Sequence, residues 1–178
     1  AAAKIGDSAV ILGCGAVGLN AIQGARLAGC EPIIAVDVVP EKLTIAERFG
    51  ATVTLDARTA DVAARVKDVT GGRGADLVIE AAGIVGTLQS AFDCARPGGD
   101  VVLLGKTAVN AQVALRWGSM MGERRIVRSS YGGARPRRDF PLLAQLYLDG
   151  QLNLDDLITT RLSLAEINDG FAAMSENK

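Results

Sequence analysis

The sequence contains no histidine, so it lacks the commonest metal ligand and the commonest general base of enzymes. Its three cysteines, Cys14, Cys30 and Cys94, are odd in number, far apart and match no zinc-ligand spacing. They read as reduced, buried, small apolar side chains, which fits a cytoplasmic location. Aromatics make up only 4% of residues, so the interior must be assembled from many small aliphatic contacts. An excess of one charge is missing too. With 19 basic and 20 acidic residues the net charge is −1, and no global field draws in nucleic acid or an anionic membrane. No apolar run approaches the roughly 20 residues of a spanning helix, and the opening residues carry no cationic, apolar signal pattern. These absences disfavour a zinc hydrolase, a serine–histidine hydrolase and a disulfide scaffold. The chain is expected to act mainly by binding.

What is present is a folding composition. Hydrophobic residues make up 49% of 178, enough for one sizeable core and too little for two ordinary domains. Short β-branched runs alternate with helical stretches. Strands are expected at Ser8–Leu12, Pro32–Val36, Thr52–Leu55, Asp76–Ile79, Val101–Leu104 and Ile126–Tyr131. Between them, helices are expected at Ala16–Ala28, Pro40–Phe49, Ala60–Val69 and about Gly86–Ala95, with a turn at Arg96–Asp100. A helix over Phe140–Leu148, a short strand at Leu157–Leu162 and a helix over Leu164–Met174 follow. Apolar runs without alternation belong to strands covered on both faces. The expected fold is therefore α/β: a doubly wound, mostly parallel six-stranded sheet with helices on both faces.

Gly13-Cys14-Gly15-Ala16-Val17-Gly18 reads G-x-G-x-x-G, follows a buried strand and opens a helix. Gly13 suits a tight turn, Gly15 lets backbone approach a pyrophosphate, and Gly18 lets helix and strand pack closely. The N–H groups at the helix start, near Ala16 and Val17, present partial positive charge to phosphates. About 20 residues on, Asp37 ends the next strand, where a carboxylate accepts from ribose hydroxyls. That carboxylate repels a 2′-phosphate, and no arginine lies near it, so NAD is favoured over NADP. Lys42 is the nearby cation and suits either a ribose oxygen or solvent. An S-adenosylmethionine site also uses a glycine loop and an acid after the second strand, and stays open as an alternative.

Taken in order, Lys4-Ile5-Gly6-Asp7, Gly13–Gly18, Ala35-Val36-Asp37 and Phe49-Gly50-Ala51 resemble the cofactor domain of medium-chain, zinc-type alcohol dehydrogenases. So do Gly74-Ala75-Asp76-Leu77-Val78-Ile79-Glu80, Arg96-Pro97-Gly98-Gly99, Leu103-Leu104-Gly105, Ile158-Thr159-Thr160-Arg161 and Glu166-Ile167-Asn168. The resemblance spans essentially the whole chain. It implies that residues 1–178 are a dinucleotide-binding domain excised from a larger oxidoreductase. In that family the zinc ligands lie in a separate catalytic domain, so zinc would belong to the full-length parent and not to this chain. It further implies that Ala81, Ala82 and Gly83 line the adenine side, and that Leu104 and Gly105 meet the nicotinamide carboxamide through backbone groups. Ser129 and Tyr131 would complete that carboxamide site. The small substrate, an alcohol or aldehyde, would sit in the parent's other domain, and the chain alone would be inactive.

Other features carry less. Arg135, Arg137 and Arg138 are followed at once by Asp139 and lack interleaved aromatics, so they read as a solvated helix start rather than a nucleic-acid footprint. Trp117, Met120 and Met121 stand out in an aromatic-poor chain, and a homodimer through residues 106–131 is expected. Three functions remain open: an NAD-dependent dehydrogenase cofactor domain, a non-enzymatic dinucleotide-binding module, and a methyltransferase.

Overall fold

A computed structural model of the chain describes residues 3–175; the two ends of the expected 1–178 domain lie outside the described residues. Six strands form one sheet in the order β3-β2-β1-β4-β5-β6, and every pairing is parallel. They are β1 (Ala9–Leu12), β2 (Ile33–Asp37), β3 (Val53–Asp56), β4 (Ala75–Glu80), β5 (Ala95–Leu103) and β6 (Arg125–Arg128). The helices are α1 (Ala16–Leu27), α2 (Pro40–Phe49), α3 (Val62–Val69), α4 (Val85–Cys94), α5 (Trp117–Met120), α6 (Pro136–Leu148) and α7 (Ile167–Ser175). The expected doubly wound architecture is present. Strand order reverses between β1 and β4, which places a crevice beyond their carboxyl ends.

Period-2 geometry divides the core in two. Ala9 and Ile11 of β1 and Ile33 and Ala35 of β2 pack with Leu19, Ile22, Leu43 and Phe49 of α1 and α2. Val10, Leu12, Ile34 and Val36 point the other way, toward Val66 of α3 and Phe92 of α4. Each of the buried Val, Leu, Ile and Phe side chains contributes on the order of 1.5–3 kcal/mol relative to exposure. Helix ends follow local chemistry. Pro40 opens α2, and Gly50 closes it in a left-handed conformation (φ 115°) that a side chain would strain. Asp61 caps α3 by accepting from the Ala64 N–H.

Several boundaries differ from the sequence reading. The Arg96–Asp100 turn exists, but inside β5: Ala95 pairs with Ala75 and Asp100 with Leu77, so residues 96–99 loop out of the ladder. The sixth strand stops at Arg128 instead of Tyr131. Ser129 still donates to the Leu103 carbonyl, after which Tyr131 (φ 50°) turns the chain into a short 3-10 segment, Tyr131–Gly133. The expected strand at Leu157–Leu162 does not form. A 3-10 turn at Asp155–Leu157 leads into irregular chain with Ile158 and Leu162 half-exposed and no strand alongside to pair with. Helix α6 begins at Pro136, earlier than expected, because Asp139 turns back to accept from the Arg135 N–H and fixes the first turn. No helix among the described residues is long and apolar enough to cross a membrane.

Candidate functional site

The expected binding residues, apart from Tyr131 and Lys42, gather at the carboxyl edge of the sheet. The glycine turn leaves β1 with the Gly13 N–H held by the Val36 carbonyl. Its three glycines have different neighbours. A Cβ on Gly18 would strike the Gly13 carbonyl, and one on Gly13 would meet Ala82 at 2.9 Å. A Cβ on Gly15 would meet nothing within 4 Å. Two glycines therefore serve close packing, and Gly15 keeps open a space bordered by the first turn of α1. Gly15 is also the N-cap of α1 and offers no side chain to its first N–H groups, so Ala16, Val17 and Gly18 present the positive end of the helix there.

Asp37 ends β2 beside this turn and is bound to it. Its Oδ2 accepts from the Cys14 N–H at 2.7 Å, and its Oδ1 accepts from Val38 and Val39 N–H at 2.8 and 3.0 Å. The carboxylate thus fixes the loop as well as facing the crevice. Burial pushes the Cys14 thiol up to about 12, the Asp37 charge adds to this, and Lys42 acts the other way. Cys14 is accordingly a neutral thiol, its Sγ directed at the Val36 carbonyl. Lys42 lies half-buried in the first turn of α2, near enough to be felt by Cys14 but at the rim of the site.

Across the switch point, the ends of β4 and β5 are tied to Glu80. Its Oε1 accepts from the Ala82 and Gly83 N–H groups at 3.0 and 2.7 Å and from the Thr87 hydroxyl at 2.7 Å. Its backbone carbonyl accepts from Leu104 and Gly105 N–H. Glu80 is fully buried, and its Oε2 has no hydrogen-bond partner. Gly83 and Gly105 pack backbone to backbone, so that a Cβ on Gly105 would collide with Gly83. Ala81, Ala82 and Gly83 therefore lie beside the glycine turn, with Leu104 and Gly105 next to them.

Beyond β5, Ser129 is half-buried next to Leu103, but Tyr131 is 95% exposed and off the strand. The structure does not bring the Tyr131 side chain into the crevice. Two residues without a role in the sequence reading stand here. Glu80 was visible as a charge ending an apolar run. Arg128, whose Nη1 reaches the carbonyls of Leu103, Leu104 and Ser129, carried no sequence signal.

The donor set does not suit zinc. The three cysteines are buried in separate places, and among the described residues no three of His, Cys, Asp and Glu group to hold a metal.

Comparison with known proteins agrees with this geometry. Residues 16–149 match the family described as zinc-binding dehydrogenase. S-(hydroxymethyl)glutathione dehydrogenase of Paracoccus denitrificans is 34% identical over 178 residues, covering 96% of this chain and 48% of that protein. An alcohol dehydrogenase zinc-binding domain protein of Burkholderia ambifaria superimposes with a TM-score of 0.94 at 31% identity, over 99% of this chain and 47% of that one. A structure from Sinorhizobium meliloti described as a zinc-binding dehydrogenase, bound to NADP, gives 0.84 at 33% identity over 94% and 48%. The chain spans about half the length of the curated relatives it matches. With a parallel six-stranded sheet, a glycine turn at its switch point and a match over most of its residues, this chain belongs to the zinc-binding dehydrogenase family.

Proposed function

We propose that this chain is the NAD(H)-binding domain of an alcohol or aldehyde oxidoreductase. The observation that carries the reading is the glycine turn: protein fills the space at Gly13 and Gly18 and leaves it empty at Gly15, beside an uncapped helix start. Gly15, Ala16, Val17 and Gly18 would hold the pyrophosphate. Asp37, with Lys42 at its rim, would take the adenosine ribose, and Ala81, Ala82 and Gly83 would border the adenine side. A dinucleotide crossing the switch point lays its second half over β4, β5 and β6. There the backbone of Leu104, Gly105 and Ser129 would receive the nicotinamide carboxamide, with Tyr131 contributing through its backbone at most. When bound, the nicotinamide supplies a hydride acceptor or donor, and the protein's part is to orient it.

The Asp37 carboxylate supports NAD over NADP, because a 2′-phosphate there sets a dianion against it. A relative was solved with NADP bound, so the choice between the two cofactors would rest on residues such as Asp37. The family match favours a nicotinamide dinucleotide over S-adenosylmethionine. A polarising metal is one way to activate an alcohol for oxidation, and among the described residues no group of His, Cys, Asp and Glu could hold one, so such catalysis would draw on residues of a larger parent. Buried, unpaired cysteines support a reducing, cytoplasmic setting. The exposed edge strand β6, with Trp117, Met121, Ile126 and Val127 at the surface, supports a homodimer through 106–131. Light scattering that finds only monomer at high concentration would remove that part.

Calorimetry of the 178-residue chain with NADH, NADPH and S-adenosylmethionine tests the main reading. NADH should bind most tightly, and addition of NAD with primary or aromatic alcohols should produce no NADH absorbance. Equal affinities for NADH and NADPH would refute the cofactor assignment, and preferential binding of S-adenosylmethionine would refute the reading as a whole.

A further inference from the structure

Arg128 is the last residue of the edge strand β6, and its side chain folds back over the ends of β5 and β6. One terminal nitrogen, Nη1, lies 2.6 Å from the Leu103 carbonyl oxygen, 3.2 Å from that of Leu104 and 2.6 Å from that of Ser129. Among the described residues Arg128 forms no ion pair. Three backbone acceptors thus converge on one nitrogen that carries two protons, and no carboxylate anchors the guanidinium there.

This is the hydrogen-bonding pattern of a primary amide nitrogen. The nicotinamide carboxamide ends in such a nitrogen, and the dinucleotide reading seats it against the backbone of Leu104 and Ser129, whose carbonyls are two of these three acceptors. Both nitrogens cannot occupy one place. We propose that Arg128 is a specificity-determining residue whose folded-back side chain covers the carboxamide seat and must swing out before the nicotinamide half can dock. The inference rests on the dinucleotide reading and deepens it.

The consequence is selective. A ligand whose binding-competent state is only partly populated binds more weakly by that fraction. Arg128 is exposed, so water replaces its bonds to the three carbonyls as it swings out, and displacing it is a modest cost. An open rotamer populated about a tenth to a third of the time would weaken nicotinamide docking roughly three- to tenfold. The adenosine, ribose and pyrophosphate subsites would lie over the ends of β1, β2 and β4, away from the β6 end, and should not register the arginine at all.

The test compares NADH with ADP-ribose, which lacks the nicotinamide, on the wild-type chain and on R128A and R128M; the methionine keeps an apolar stem and removes the donor. Both variants should bind NADH roughly three- to tenfold more tightly, while ADP-ribose affinity stays within about 1.5-fold of wild type. NADH affinity that is unchanged or weaker in both variants would overturn the proposal. So would equal tightening of ADP-ribose, which would mean that the arginine acts on the whole site. Failure of ADP-ribose to bind the wild-type chain would instead overturn the dinucleotide reading beneath it.

Discussion

Replacing Asp37 with asparagine is the sharpest single test of how the loop and the acidic residue cooperate. The carboxylate accepts from three backbone N–H groups, Cys14 on one oxygen and Val38 and Val39 on the other. Asparagine has nearly the same shape but only one acceptor oxygen. If that oxygen serves Val38 and Val39, the amide NH₂ points at the Cys14 N–H, donor against donor. If it serves Cys14, two N–H groups lose their partner. An orphaned donor of this kind costs about 1–3 kcal/mol, and the lower half applies because the site is partly open to water. For a domain of this size each 1 kcal/mol moves Tm by roughly 2–4 °C. D37N should therefore melt about 2–8 °C lower without any ligand present. NADH affinity should fall as well, since a charged contact to ribose is lost, by about 1.5–3 kcal/mol. NADPH should lose less, because its repulsion disappears, and the gap between the two cofactors should narrow. Thermal melts and calorimetry on the same preparation measure both effects. A variant with unchanged Tm and an unchanged NADH-to-NADPH ratio would refute the two-sided role of this carboxylate.

Two further outcomes separate structure from binding and locate a pH effect. G15A should keep the wild-type Tm and lose dinucleotide affinity, whereas G18A should melt at a lower temperature, because its Cβ meets the Gly13 carbonyl; equal melting of the two variants would contradict the division of labour in the turn. Although burial opposes ionisation of Asp76, bonds from Ser8 and the Arg96 guanidinium outweigh it and hold the carboxyl at about 2, below the usual 3.8. A depressed folded-state value means stability that is present above pH 3.8 and lost as pH falls through about 2. The difference in urea midpoint between wild type and D76N should thus be largest near neutrality and shrink from pH 4 downward; a constant difference across that range would rule out this linkage.

Much of this was legible because the signals were local. Ala9–Leu12 and Ile33–Val36 are unbroken apolar runs, and Pro40 and Gly50 mark their helix ends by backbone chemistry alone. The glycine turn and Asp37 could be read as a unit because one helix and one strand, α1 and β2, fix their separation. The misreadings fall where tertiary partners decide. Leu157–Leu162 has the composition of a strand but, among the described residues, no strand pairs with it, and Tyr131 leaves β6 because the chain turns after Ser129 bonds back to Leu103. Residues 96–99 have turn chemistry, yet Ala95 pairs before them and Asp100 after, which no window of sequence contains. The Glu80 carboxylate bonds locally, to Ala82, Gly83 and Thr87, but the Glu80 carbonyl and the Arg128 guanidinium act where separate strand ends meet, at Leu103, Leu104 and Gly105. No spacing rule encodes those contacts.

The backbone-to-backbone contact of Gly83 with Gly105 limits how this crevice could be remodelled. A floor made of two touching main chains has no side chain to shorten, lengthen or rotate, and even one added methyl group must push the ends of β4 and β5 apart. Efforts to redesign ligand choice therefore have little to work with at the centre. Variation is confined to the two rims, around Asp37 and Lys42 at one end and around Arg128 and Ser129 at the other. Changes at one rim should leave the other's selectivity intact, so that the nucleoside and nicotinamide ends are separately adjustable modules on a common, unadjustable base.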